Sequence, residues 1–229
     1  MSRIILKISG EALKYDNDNV NEEKLEVILK TIRILKKEGH LIGIVVGGGN
    51  FFRGREHTNM NKVTADTIGM LGTVINALYI KDYLEKNNLK VTISTPFEFP
   101  NLINKYNLNE IRKRFDEGQI IIFGGGLGKS GFSTDSGIIL ASEVIESDLI
   151  IKMTNVDGVY NSDPKLNKEA IKFEKLTYND VLNNNYKVMD KYAIEKAMQK
   201  NLKILVMNFS DYEKLEDYFN GYSIGTEIY

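Results

Sequence analysis

The 229-residue chain carries 30 basic and 31 acidic side chains, a formal net charge of −1 that gives no cationic footprint for nucleic acid. It has no cysteine, which excludes disulfides, thiolate nucleophiles and Cys-ligated zinc, and its two histidines, His40 and His57, are too few for a His-rich metal site. Apolar runs read as short and interrupted by charge, so no membrane span is expected; a strand starts too early for a signal peptide, and a cytoplasmic enzyme with an oxygen-ligated metal is expected.

Apolar strands alternate with helical periodicity, which predicts one domain over residues 1–229: a three-layer α/β/α sandwich with a mostly parallel central sheet. The first strand, Ile4-Ile-Leu-Lys-Ile8, runs into Ser9-Gly10. Leu25, Ile28, Leu29, Ile32 and Leu35 recur at helical spacing and predict a helix ending at Gly39. A second strand, Leu41–Val46, runs into Gly47-Gly-Gly-Asn50, and residues 61–86 predict a long helix with Ile68, Leu71, Ile75 and Leu78 on its apolar side. A strand at Lys90–Thr95 enters an irregular segment at Pro96 and Pro100, a short helix follows near Leu108–Glu117, and a strand at Gln119–Phe123 runs into Gly124-Gly-Gly126. A helix from Thr134 to Ser147 precedes a strand at Asp148–Met153, past which come Thr154, Asn155, Asp157, Gly158 and Asp163. Helices near Thr177–Asn184 and Asp190–Asn201, a strand at Lys203–Asn208 and a helix near Tyr212–Phe219 complete the chain. Asp16-Asn-Asp-Asn-Val-Asn21 lacks the turn glycine and terminal glutamate of a calcium loop and reads as a solvated loop.

Four strands thus end in glycine or small polar residues, and in an open α/β sheet that edge is where ligands bind. Lys7 near the end of a buried strand is costly unless its ammonium meets an anion or reaches water at the edge; both readings stand. Gly47-Gly-Gly49 allows close backbone approach to a phosphate and positive φ, and Arg53 can pair with the anion; the alternative is a structural turn beside a surface arginine. Gly124-Gly-Gly-Leu-Gly-Lys129-Ser130 looks like a Walker A loop, but that motif needs glycine where Phe123 stands, and helical pattern resumes only near Thr134. Thr134 or Asp135 caps that helix, and the carboxylate can also orient lysines or a magnesium ion. Asp66 is either a solvated helix residue or a ligand for sugar hydroxyls. Lys152 mirrors Lys7, and two lysines flanking a phosphoryl group would stabilise charge developing on transfer.

In this order the segments resemble the amino acid kinase family over almost the whole chain, from Ile4-Ile-Leu-Lys-Ile-Ser-Gly-Glu-Ala-Leu13 to Gly225-Thr-Glu-Ile228. The resemblance is carried by Val46-Gly-Gly-Gly-Asn-Phe-Phe-Arg-Gly54, by Ala65-Asp66 with Gly69-Met-Leu-Gly-Thr73, by Phe132-Ser-Thr-Asp135, by Lys152–Pro164, and by Leu176-Thr-Tyr178 leading to Lys187-Val-Met-Asp190. Within the family the pattern resembles the branch whose acceptor is UMP. The resemblance implies an ATP-dependent nucleoside monophosphate kinase of pyrimidine biosynthesis, giving UDP and ADP, with Mg2+ carried by ATP and no dedicated metal ligand. A family member acting on a carboxylate, carbamate or isopentenyl phosphate is the alternative. It implies a cytoplasmic homohexamer with ATP and UMP as partners, and neither nucleic acid nor membrane.

Carried over by residue, the resemblance gives Lys7, Asp135 and Lys152 the catalytic roles, and gives ATP to Lys7, Ile8, Ser9, Gly10, Gly49, Arg53, Thr154, Tyr160 and Asp163. UMP falls to Gly48, Asp66, Leu127, Gly128, Lys129, Ser130, Gly131, Phe132, Ser133 and Thr134. Residues 1–147 would mainly form the acceptor site and 148–229 the ATP site. Where the family has Gly-Thr-Gly-Asn-Pro-Phe-Phe, this chain has Gly126-Leu-Gly-Lys-Ser-Gly-Phe132, and a segment associated with GTP activation is replaced by Lys14-Tyr-Asp-Asn-Asp-Asn19.

Overall fold

A computed structural model describes residues 1–14, 19–56, 59–100, 102–103 and 107–229, with the side chain of Arg55 left out. Half of the predicted solvated loop, Asp16 to Asp18, and His57 lie outside the described residues. In chain order the elements are β1 (Arg3–Ile8), α1 (Gly10–Leu13), α2 (Glu22–Lys37), β2 (Leu41–Val46), α3 (Lys62–Lys86), β3 (Val91–Ser94), α4 (Leu108–Asp116), β4 (Ile120–Phe123), α5 (Thr134–Ile145) and β5 (Leu149–Thr154). Then follow β6 (Val159–Tyr160), β7 (Lys172–Phe173), β8 (Lys175–Leu176), α6 (Tyr178–Asn183), α7 (Lys191–Gln199), β9 (Lys203–Asn208), α8 (Leu215–Phe219) and β10 (Thr226–Ile228). The expected helix near Tyr212–Phe219 divides into a 3₁₀ turn, Phe209–Lys214, and α8.

The main sheet runs β3-β4-β2-β1-β5-β9-β10-β8. Among the described residues of this sheet only the β9–β10 pairing is antiparallel, so the expected mostly parallel sheet is found. From β1 the chain goes to β2 on one side, whereas from β5 it goes on to β9 on the other. The β1–β5 boundary is therefore the topological switch point, where such sheets open a crevice beyond their C-terminal ends.

Strand alternation divides the core. Ile4, Leu6 and Ile8 of β1 pack with α2, α3 and α8, while Ile5 packs on the other face with α4, α5, α6 and α7. In β5, Leu149, Ile151 and Met153 join the first layer and Ile150 the second. By the same two-residue period Lys7 and Lys152 fall on the α5 face.

The helix α3 corrects two expectations. By length and composition it is apolar enough to cross a bilayer, with a mean hydropathy of 1.3 over its best window, so not every apolar run is short. Its inward face is only partly the one expected: Leu78 packs against the core, but Leu71 and Ile75 are each 40% exposed, while Val74, Ala77, Ile80 and Leu84 enter the core together with buried Thr73 and Asn76. A helix apolar on most sides gives no periodicity from which to choose a face. The sheet loops chose it, because they need the polar groups of Thr73 and Asn76.

Candidate active site

The site begins with β1 and β5, which pair in parallel with Lys7 opposite Lys152. Neighbouring strands lie about 4.8 Å apart. Adjacent cations at that spacing repel and need an anion between them, and α5 delivers one in its first turn. Asp135 Oδ1 lies 3.7 Å from the buried Lys7 ammonium, and Asp135 Oδ2 accepts the backbone N–H of Asp190 at 3.3 Å. Lys152 donates to the Val188 carbonyl. Burial pulls its pKa down to about 8, Asp135 and Asp190 oppose that fall, and Lys7 adds to it.

The cap of α5 is neither Thr134 nor Asp135. Ser133 Oγ accepts from the N–H groups of Asp135 and Ser136 at 3.0 and 3.4 Å, leaving the Asp135 carboxylate free to face the lysines. Ser133 also donates to Asp190, which caps α7 through the N–H of Ala193 at 2.7 Å. Asp190 therefore braces α5, α7 and the Asp135 carboxylate. The sequence marked it only as the end of a motif, although an aspartate just before a helical run is an N-cap signal.

A cleft of about 820 Å³ opens beside this cluster. Lys7, Ser9, Gly10, Gly48, Gly49, Arg53, Asp66, Leu127, Phe132, Ser133, Thr134 and Asp135 line it, so these predicted residues do come together. Ile8 is buried in the core beneath. Gly128 to Gly131 are not among the lining residues, although Ser130 and Gly131 bond Asp66 at the wall, and Lys129 is exposed. Helix α5 starts at Thr134, not after Lys129, which removes the Walker A reading. Thr154, the last residue of β5, and Tyr160 and Asp163 beyond it are not among the residues lining this cleft. Thr154 bonds the Val156 backbone, the Tyr160 hydroxyl donates to Asp157 at 2.6 Å, and Asp163 accepts from the N–H of Lys165 at 2.9 Å. Near them a second cleft of about 510 Å³ is lined by Asp157, Lys172, Asp211, Lys214 and Gly225.

The glycines serve two different purposes. Gly47 to Gly49 do not adopt positive φ; they permit contact. A Cβ on Gly48 would meet Gly69 O at 2.6 Å and Thr73 N at 2.9 Å, and one on Gly10 would meet Gly49 N at 2.6 Å. Positive φ falls instead at Gly125, Gly126, Gly128 and Gly131, in the loop after β4. Both loops are tied to α3. Thr73 Oγ1 accepts the Gly125 N–H at 2.6 Å, and Asn76 Nδ2 donates to the Gly47 carbonyl at 2.6 Å. Asn76 and Asn50 also exchange amide hydrogen bonds at 2.8 and 2.9 Å. An amide within an apolar helix was the available signal for this anchor.

Arg53 donates to Glu11 through Nε at 2.9 Å, to Glu56 through Nη1 at 3.2 Å, and to the Gly49 carbonyl at 3.4 Å. Glu11 lines the cleft and was not anticipated from sequence. These contacts turn the guanidinium toward the glycine loop. Asp66 accepts the Ser130 hydroxyl and the Gly131 N–H, the latter at 2.8 Å, and these bonds hold its carboxyl below the usual range. Among the described residues no three His, Asp or Glu side chains cluster as a cation site. The geometry suits stabilisation of a multiply charged anion by fixed cations and backbone N–H groups, without a covalent intermediate.

The amino acid kinase family profile matches residues 2–208. The chain is 39% identical over 227 residues to a protein named uridylate kinase from Fervidobacterium nodosum, covering 99% of this chain and 97% of that one. The solved structure of UMP kinase from Bacillus anthracis is similar at a TM-score of 0.94 and 37% identity, covering 99% of this chain and 95% of its own. That of UMP kinase from Ureaplasma parvum is similar at 0.91 and 32%, covering 99% and 98%.

Proposed function

This chain belongs to the amino acid kinase family, and from that premise we propose how its cleft transfers the γ-phosphoryl group of ATP to UMP. It acts as a nucleoside monophosphate kinase producing UDP and ADP. The observation that carries the reading is the pairing of Lys7 with Lys152 across β1 and β5, with Asp135 against Lys7. A phosphate oxygen of UMP attacks the γ-phosphorus as the bond to the β-phosphate oxygen breaks. Lys7 and Lys152 stabilise the charge that spreads over the transferring oxygens, and Asp135 keeps the lysines charged and placed. The donor is the complex of ATP with a divalent cation, taken as Mg2+, which rides on the phosphates as part of the substrate.

Lys7 to Gly10, Gly49 and Arg53 hold the donor phosphates, while Thr154, Tyr160 and Asp163 serve its base and ribose. Gly48, Asp66 and the loop 127–134 hold UMP. The separation of the two clefts supports assigning 1–147 mainly to the acceptor and 148–229 mainly to ATP. Acceptors such as carbamate or a carboxylate are not favoured by relatives whose names specify uridylate or UMP. We place the enzyme in the cytoplasm as a homohexamer. Exposed Val63, Leu71, Ile75 and Tyr79 on α3 support association between copies, which sedimentation checks.

A coupled ADP-release assay with ATP and magnesium across UMP, CMP, dTMP, carbamate, aspartate and isopentenyl phosphate tests the function. Strong preference for UMP is expected. Turnover with another acceptor alone would overturn the assignment.

A further inference from the structure

We propose that Ser130 is a positioning residue that fixes the Asp66 carboxylate for the acceptor sugar, an inference that rests on the UMP reading above. Asp66 stands in the second turn of α3, and Ser130 lies on the loop between β4 and α5. The Ser130 hydroxyl and the Gly131 N–H both donate to Asp66 Oδ2. Asp66 Oδ1 takes no hydrogen bond among the described residues, although Asp66 lines the cleft. Two donors on one oxygen stop the carboxylate from rotating and leave the other oxygen as an acceptor for a ribose hydroxyl.

The loop is built to deliver that hydroxyl. Gly131 has φ +90°, a conformation that aims its N–H at the same oxygen at little steric cost. Gly128, at φ +68°, lies so close to Pro96 that a Cβ would come within 2.8 Å of the ring. The loop is therefore pinned at two points, Pro96 on one side and Asp66 on the other. Leu127 and Phe132 are held between them at the cleft wall, and Lys129 is left outside.

The test compares wild type, Ser130→Ala and Ser130→Thr with UMP and with 2′-deoxy-UMP and 3′-deoxy-UMP, at saturating ATP. In Ser130→Ala the KM for UMP should rise about fivefold with kcat and the KM for ATP unchanged. The preference for UMP over the deoxy analogue that lacks the bonded hydroxyl should shrink by a similar factor. Ser130→Thr, which keeps the hydroxyl, should restore both. An unchanged KM for UMP and unchanged discrimination in Ser130→Ala would overturn the proposal, as would a uniform fall in kcat with discrimination intact. The wild-type arm separates the two levels: no turnover of UMP overturns the reading itself, whereas normal turnover with a silent Ser130→Ala overturns the clamp alone.

Discussion

Replacing Lys152 by methionine should stabilise the free protein while removing its activity. Burial lowers the Lys152 pKa from 10.5 to about 8. That gap corresponds to about 3 kcal/mol of destabilisation while the group is charged. The side chain keeps some exposure, so solvent screening trims the figure to about 2–3 kcal/mol. Methionine also forfeits the hydrogen bond to the Val188 carbonyl, about 1–2 kcal/mol, leaving a net gain near 1 kcal/mol, or about 3 °C in Tm at pH 7. The pH dependence separates this account from ordinary repacking. Between about 8 and 10.5 the unfolded wild type still holds the proton that the folded form has released, so rising pH favours folded wild type. The variant has no such group, and its advantage should reverse by about 2–3 kcal/mol across that window. Thermal unfolding of both proteins at pH 7, 8, 9 and 10 and matched ionic strength isolates the group, because all other titrations cancel. A difference in Tm that stays flat with pH would refute the reasoning. In the assay kcat should fall by about 100- to 1,000-fold, and wild-type kcat/KM should decline above about pH 8 as Lys152 loses its proton.

Asn76→Ala leaves the Gly47 carbonyl and the Asn50 amide short of partners in the interior and should cost about 2–4 kcal/mol, read as a fall in urea midpoint at constant m. Gly48→Ala forces α3 and the glycine loop apart, because its Cβ would lie 2.6 Å from Gly69 O. A stability loss of about 1–3 kcal/mol and a raised KM for UMP are expected from unfolding and steady-state kinetics. Lys129→Ala, at an exposed position, should leave Tm and the KM for ATP unchanged, whereas Lys7→Ala should abolish turnover; loss of ATP binding in the first variant would restore the Walker A reading.

The strands and their layer were legible because four apolar runs each stop at glycine or a small polar residue, and because a lone lysine in such a run is conspicuous. Lys7 and Lys152 were found that way, and register brought them together. What escaped lay in contacts between distant segments. Asp66 gave no sign of its partner because Ser130 is 64 residues away on an irregular loop. Glu11 and Asp190 were named only within motifs, because their partners Arg53 and Asp135 are distant in sequence. The inward face of α3 was partly misread for the same reason: the loops it anchors, rather than its own periodicity, decide which side turns in. Strands of two or three residues, such as β6 to β8 and β10, are too short to carry a period at all.

The pairing of β1 with β5 also has a consequence for synthesis. A growing chain that has emerged only through α5 already contains Lys7, the Gly47–Gly49 loop, Arg53, Asp66 and Asp135, yet β1 still has a bare edge on its β5 side. Synthesis from the N-terminus therefore supplies the residues lining the larger cleft before the second lysine. Under the proposed roles, a chain at that stage has the residues assigned to UMP but not the lysine pair assigned to phosphoryl transfer. The lysine pair is completed only when β5 inserts beside β1.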